Sequence, residues 1–402
     1  MTLAVGIDIA KEFHWAAVVV AETGRELISR RVDNDPEAIA GFLQELDQAV
    51  AEHGPLTAGI DVLGGIAGLV TVMLLEHRHR LVHVPGLTVN RSRHGTRGGE
   101  HKSDPRDARV IADQLRLRGD WRPVTLGDEL TNDLSLLVGR RRDLVTEQTR
   151  RINRTRDMLA GIFPGLERVV DLTTLCGLRL LARYVTPGEI RRAGRSRIVA
   201  YLRRNGVRSD YAERLATAVV EAAHHQRVVV PSQERIARFV REQAADALTA
   251  RERLVAVEAE IGEVLARHPD AAPIRSMPGM GATLTAEFLA EIGDLARFAN
   301  ADALAAASGL APVLQQSGKM NYTRRAVGGA KNLKRIFFRS AFCAIQLDPA
   351  SKTYYLRKRG EGKRHTQAVI ALARRRVNVL YAILRTRQPY RANHAATTNT
   401  AA

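Results

Sequence analysis

Four aspartates and one serine are the residues whose types and spacing could do chemistry in this sequence. Asp104 and Asp107 lie three residues apart in His101-Lys102-Ser103-Asp104-Pro105-Arg106-Asp107-Ala108-Arg109. Ser103 is placed to cap a helix and Pro105 suits its first turn, so the two carboxylates share one face. Taken alone, the same residues also make an ordinary solvated helix start, where the dipole favours acidic groups. Asp8, in Gly6-Ile7-Asp8-Ile9-Ala10, and Asp61, in Gly59-Ile60-Asp61, stand in apolar runs where an unpaired carboxylate is costly. Four carboxylates brought together repel one another unless they are protonated or hold a cation. Hard oxygen ligands suit Mg²⁺ or Mn²⁺, and two such ions about 3.5–4 Å apart can clamp a phosphodiester. Ser317, in Gln315-Gln316-Ser317-Gly318-Lys319, precedes a glycine, where backbone can approach a substrate closely. A serine hydroxyl is a weak nucleophile unless it is oriented and activated. Lys319, Arg324 and Arg325 could stabilise charge on a transferring phosphoryl group. The alternative is a plain loop serine.

These residues need elements to position them. Leu3–Ile9, Trp15–Ala21 and Arg25–Val32 read as three strands joined by short loops, an antiparallel meander. Pro36–Glu52 has a helical apolar period in Ile39, Phe42, Leu43, Leu46 and Val50. Leu56–Val62 reads as a fourth strand, a helix runs on to Leu75, and Leu81–Val84 reads as a fifth strand. The order β-β-β-α-β-α-β-α is that of the ribonuclease-H-like fold. It would set Asp8 and Asp61 side by side on adjacent parallel strands, with the Asp104 helix packed over them. Asp128–Leu159 and Ser232–His268 then read as two long helices, a helical arm or antiparallel coiled coil. Between them, 163–230 reads as short helices punctuated by Pro164, Pro187 and Gly206. An arm of this kind suits either internal packing or a contact with a second copy. Pro269–Pro273 reads as a hinge. After it, Pro278-Gly279-Met280-Gly281 precedes a helix, where backbone N–H groups could hold a phosphate, although a tight turn is as good a reading. Lys331–Ile345 and Lys363–Leu384 read as basic amphipathic helices, and 392–402 as a disordered tail. The expected division is 1–125, 126–270 and 271–391.

Net charge is +18 over 402 residues and the pI is about 10.6. Between Gly318 and Arg391 stand 19 Lys and Arg against Asp348 and Glu361, a balance of +17, so nearly the whole excess lies there. Charge so concentrated points to a polyanion partner. Arg91, Arg93 and Lys102 flank the glycine-rich segment 95–99, and Lys331, Lys334 and Arg335 open a C-terminal helix, all placed to hold a nucleic-acid backbone. Phe337, Phe338, Tyr354 and Tyr355 interleave with basic residues as in nucleic-acid binders. Cys176 and Cys343 lie in apolar runs and read as buried, reduced thiols of a cytosolic protein. The N-terminus lacks the basic region of a signal peptide, and no apolar run reaches the ~18 residues that spanning a bilayer needs.

The combination resembles a DEDD transposase of the insertion sequence 110 / 1111 family, with Piv-type invertases as relatives. The resemblance rests on Gly6-Ile7-Asp8-Ile9-Ala10-Lys11, Gly59-Ile60-Asp61 and Lys102-Ser103-Asp104-x-x-Asp107-Ala108. At the other end it rests on Pro278-Gly279-Met280-Gly281, Ser308-Gly309-Leu310-Ala311-Pro312, Gln316-Ser317-Gly318 and Gly329-x-Lys331-x-Leu333-Lys334-Arg335. It implies that Asp8, Asp61, Asp104 and Asp107 are the metal tetrad of a RuvC-like domain. It further implies that Ser317 is a nucleophile forming a transient phosphoserine link to DNA, that a structured RNA from the element directs the reaction, and that the protein acts as a multimer at the bacterial nucleoid. The family usually carries Glu where this chain has Asp61, which is one methylene shorter. Two other readings use the same residues: a structure-selective endonuclease working through the four carboxylates and water, or a decayed transposase that only binds nucleic acid.

Overall fold

The computed structural model describes residues 1–95, 101–121, 123–124, 129–317, 320–324 and 326–392. Arg97, Lys319, Arg325 and the tail beyond Ala392 lie outside the described residues. The chain divides into two units, Met1–Asp128 and Glu129–Ala402.

In the first unit, β1 (Leu3–Asp8), β2 (Phe13–Val20) and β3 (Glu26–Asp33) form the expected meander. Helix α1 (Pro36–His53) follows, its N-cap Asp35 accepting from the backbone N–H groups of Glu37 and Ala38 at 3.0 and 2.9 Å. Then come β4 (Leu56–Ile60), a 3-10 turn at Gly65–Ala67, α2 (Gly68–Glu76), β5 (Arg80–His83), α3 (Gly86–His94) and α4 (Asp104–Leu117). The sheet order is β3-β2-β1-β4-β5, with β1, β4 and β5 parallel. This is the ribonuclease-H-like arrangement that the element order anticipates.

Strand parity decides which residues face which layer. Leu3, Val5 and Ile7 pack with Ala58 and Ile60 against Ile39, Phe42, Leu43 and Leu74 of α1 and α2. The alternate residues Ala4, Gly6 and Asp8, with Gly59 and then Asp61, therefore face the other side, where α4 lies. The contact there is close. A Cβ on Gly6 would sit 2.0 Å from the Ala108 carbonyl oxygen and 2.5 Å from Ala112 N. Gly6→Ala is expected to force α4 off β1 and to destabilise the protein by about 3 kcal/mol. Urea unfolding of the variant beside the wild type checks this.

The second unit begins with α5 (Glu129–Ile162). It continues through α6 (Pro164–Val169), α7 (Leu175–Leu181), α8 (Pro187–Arg204) and α9 (Ser209–His225) to α10 (Gln233–Arg267). Helices α5 and α10 run antiparallel, with Arg141 bonded to Glu258 at 2.8 Å and Arg151 beside Asp246 at 4.0 Å. The segment between them is more ordered than its punctuation suggests. Pro164 and Pro187 stand in first helical turns, and a capping box between Thr186 and Glu189 starts α8. Leu159, Phe163, Leu181, Leu202, Val219 and Val240 belong to a core that closes the far end of the arm.

The near end of the arm shares its core with the remainder of the second unit. Leu134 and Ile261 pack with α11 (Ala271–Arg275), α12 (Ala282–Ile292) and α13 (Ala301–Ala307). The expected hinge at 269–273 is thus partly a short helix. A hairpin follows, β6 (Val313–Ser317) paired with β7 (Met320–Arg324). Three basic helices end the chain: α14 (Lys331–Leu347), α15 (Pro349–Gly360) and α16 (His365–Thr386). Only α14 and α16 carry an apolar period, so α15 was not expected. Both cysteines are reduced, but Cys343 is exposed and Cys176 half-buried, because each falls just off the buried stripe of its helix. No helix among the described residues is long and apolar enough to cross a membrane.

Candidate active site

The parallel register Ile7↔Ile60 carries Asp8 and Asp61 out together at the strand ends. The Ile9 N–H donates to Asp61 Oδ1 at 3.3 Å, and His83, at the end of β5, meets the Asp61 carbonyl oxygen through Nε2 at 3.2 Å. Helix α4 starts at Asp104, with Pro105 in its first turn. Ser103 takes the N-cap position and its carbonyl accepts the first helical bond, from Asp107 N at 2.9 Å, but its hydroxyl makes no capping bond. Because Ala108 and Ala112 press on Gly6, the first turn of α4 stands over the end of β1.

Electrostatics tie the four carboxylates together. Burial, then the charges of Asp61, Asp107 and Asp104, push the Asp8 carboxyl from 3.8 up to about 7, with Lys102 working against the rise. Asp61 is raised as well, chiefly by burial, while the Ile9 N–H and nearby His83 hold it down. Asp107 is buried, and both its oxygens lie 2.7 Å from Nη1 of Arg93, itself 8% exposed. An all-oxygen donor set that is partly buried and pays repulsion at pH 7 fits a hard divalent cation, which would relieve that repulsion. The set is not drawn tight. The three ligand atoms that lie within 4.8 Å of one another among the described residues belong to another cluster, Asp47, His77 and His79.

A sign follows for the metal-free protein. Asp8 and Asp61 hold protons more tightly folded than unfolded, so the folded chain binds more protons between about pH 4 and 7. Stability therefore falls as pH rises through that window. Thermal unfolding in chelator is expected to show a higher midpoint at pH 5 than at pH 7.5, relative to Asp8→Asn, in which this part of the slope is lost.

Ser317 ends β6 in the second unit, opposite Met320. The base of the hairpin is held by glycines. Gly309 (φ +61°) and Gly329 (φ +98°) touch so closely that a Cβ on Gly329 would lie 2.5 Å from Gly309 N. Ala330 N donates to the Ala307 carbonyl at 2.7 Å, and Lys334 Nζ to that of Gly309 at 2.9 Å. Gly279 (φ +80°) packs on α14, where a Cβ would meet the Ser340 carbonyl oxygen at 2.5 Å. Buried Arg376 bonds the Pro278 carbonyl and the Ser340 hydroxyl. Gly281, by contrast, is exposed at the N-terminus of α12.

The basic residues divide in the same way. Arg91, Lys102, Arg324 and Lys331 are exposed. Arg93 grips Asp107, and Arg335 pairs with Glu287 at 3.1 Å. Among the aromatics, Phe337 is core, edge-on to Phe288 at 5.8 Å, and Tyr354 lies under the guanidinium groups of Arg357 and Arg375 at 5.0 and 5.1 Å. Base stacking on those two rings is already pre-empted. His83 is the neighbour of the tetrad that sequence reading missed; its position at the end of a strand parallel to that of Asp61 was the available signal.

Comparison with known proteins agrees with this architecture. A family model described as "Transposase" matches residues 5–164, which hold the four aspartates, and one described as "Transposase IS116/IS110/IS902 family" matches residues 271–356, which hold Ser317. The chain is 41% identical over 400 residues to the insertion element IS900 uncharacterized 42 kDa protein of Mycobacterium paratuberculosis, covering 99% of this chain and 98% of that one. It is 41% identical to the insertion element IS116 uncharacterized 44.8 kDa protein of Streptomyces clavuligerus, covering 95% and 94%. The pilin gene-inverting protein of Moraxella bovis is 26% identical over 46% of this chain and 60% of its own. A ribonuclease-H-like unit with an acidic strand-end site, in a chain so matched, defines a transposase, an enzyme that acts on DNA. The chain belongs to the IS110 family of insertion-sequence transposases.

Proposed function

We propose that this transposase cuts and rejoins the DNA strands of its insertion sequence using the Asp8, Asp61, Asp104 and Asp107 carboxylates together with Ser317, under the direction of a structured RNA encoded by the element. The observation that carries the reading is the grouping of Asp8 and Asp61 at the ends of β1 and β4 with Asp104 and Asp107 on the first turn of α4. A divalent cation held there, Mg²⁺ or Mn²⁺, would neutralise charge on the scissile phosphodiester and favour attack on phosphorus. Asp8 and Asp61 are rigid donors on neighbouring strands. Asp104 closes the site from α4, and Arg93 fixes the rotamer of Asp107. The Ser317 hydroxyl forms a bond to phosphorus while a P–O bond of the DNA backbone breaks, and the departing strand end takes up a proton as a hydroxyl. Reversal of that step with a different strand end releases the serine and joins the new strand.

The exposed basic residues of both units hold the DNA and the RNA, and the exposed apolar residues Leu136, Val145 and Val255 on the arm suit self-association. The reaction would take place in the bacterial cytoplasm, at the nucleoid. The test is a cleavage assay with labelled element-end DNA. Cutting should require both the element's RNA and the divalent cation, and cutting without RNA would remove the guide from the account. Binding to either nucleic acid should also fall steeply between 50 and 200 mM salt, by about 1,000-fold for six or more phosphate contacts. Gel-shift titration across that range checks it.

A further inference from the structure

At the opposite end of the sheet from the tetrad, Asp47 of α1, His77 at the end of α2 and His79 just before β5 converge. His77 Nδ1 lies 3.1 Å from Asp47 Oδ2, and His79 Nε2 lies 3.1 Å from Asp47 Oδ1. The rings of His77 and His79 stack with centroids 6.1 Å apart, and the ligand atoms of all three residues lie within 4.8 Å of one another. The side chain of His79 is only 9% exposed, and its Nε2 points into this cluster, facing Asp47 Oδ1. A metal ion between the three side chains would take the lone pairs of both rings and a carboxylate oxygen of Asp47.

We propose that Asp47, His77 and His79 form a second metal site, for a borderline transition-metal ion of the Zn²⁺ class. Two imidazole nitrogens and one carboxylate select Zn²⁺, Co²⁺ or Ni²⁺ over Mg²⁺, whereas the all-oxygen tetrad has the reverse preference. The spacing agrees. Ligand atoms about 2.0–2.1 Å from a tetrahedral centre are about 3.3 Å from each other, close to the two observed separations. Water completes the shell, since His77 and Asp47 are open to solvent on one side. Bound there, the ion ties the C-terminal half of α1 to the connection between α2 and β5. It stabilises the first unit without taking part in strand cutting.

The test uses the full chain, stripped with chelator and held in millimolar Mg²⁺ so that the oxygen site is occupied. Titrated Co²⁺ should bind at one equivalent with the visible absorption of a low-coordinate nitrogen and oxygen site. Zn²⁺ should displace it and raise the unfolding temperature. Asp47→Ala and His77→Ala should each weaken the first equivalent by about 100-fold or more, with Asp8→Asn unchanged. His77→Cys should retain binding and add a near-ultraviolet thiolate-to-cobalt band, which a merely structural role would not produce. Absence of a saturable first equivalent in the wild type, or the same isotherm in Asp47→Ala and His77→Ala, would overturn the site.

Discussion

Asp8→Asn is expected to abolish strand cutting while leaving nucleic-acid binding intact. Losing one carboxylate that holds the cation costs several kcal/mol of transition-state stabilisation, which is about 1,000-fold or more in rate. The substitution has a second signature that separates it from simple damage. Asp8 is charged at high pH only against burial and three neighbouring carboxylates. The neutral amide relieves that repulsion, so metal-free Asp8→Asn should be more stable than wild type at pH 8. Asp107→Asn should be equally inactive but opposite in stability. It weakens the buried contact with Arg93, whose side chain is 9% exposed, at a cost of about 3 kcal/mol. Thermal unfolding beside a cleavage assay distinguishes the two. Wild-type cutting by either variant would remove the tetrad from the chemistry.

Ser317→Ala is expected to eliminate recombination as completely, for a different reason. Without the hydroxyl the proposed bond from Ser317 to phosphorus cannot form, and the energy of the broken backbone bond cannot be kept for rejoining. Binding to DNA and RNA should stay within about twofold of wild type, because the exposed cations proposed to hold the phosphates are untouched. Fluorescence anisotropy with both nucleic acids measures the binding. A two-plasmid recombination assay measures the loss. Residual recombination at the wild-type rate would make Ser317 a residue of the hairpin only.

The first unit was legible because its signals are local and redundant. Alternation along Leu3–Asp8 and Leu56–Ile60 fixes both strands and, by parity, puts Asp8 and Asp61 on the face that α4 covers. Pro105 and the apolar period after it fix where α4 starts. Less legible were features that depend on packing between distant segments. Arg93 sits in a basic, glycine-bordered stretch that reads as a holder of nucleic-acid backbone, yet it is buried against Asp107, 14 residues on. Among the described residues of the hairpin β6–β7 the apolar Leu314, Met320 and Tyr322 are all exposed. Its alternation therefore carries no core signal, and Ser317 reads as a loop serine. The Gly279 turn, which reads equally as a phosphate cradle or a tight turn, has its glycine pressed on α14. In sequence, His77 and His79 are only a His-x-His pair, and Asp47 joins them only once α1 and α2 are packed.

The most direct measurement is a denaturing gel of purified protein with labelled element-end DNA, the element's RNA and Mg²⁺, wild type beside Ser317→Ala and Asp8→Asn. Serine chemistry that also needs a carboxylate-held cation predicts label shifted onto the wild-type protein and onto neither variant. Cut DNA with no adduct, in equal yield from wild type and Ser317→Ala, would contradict it and leave a metal-dependent hydrolase.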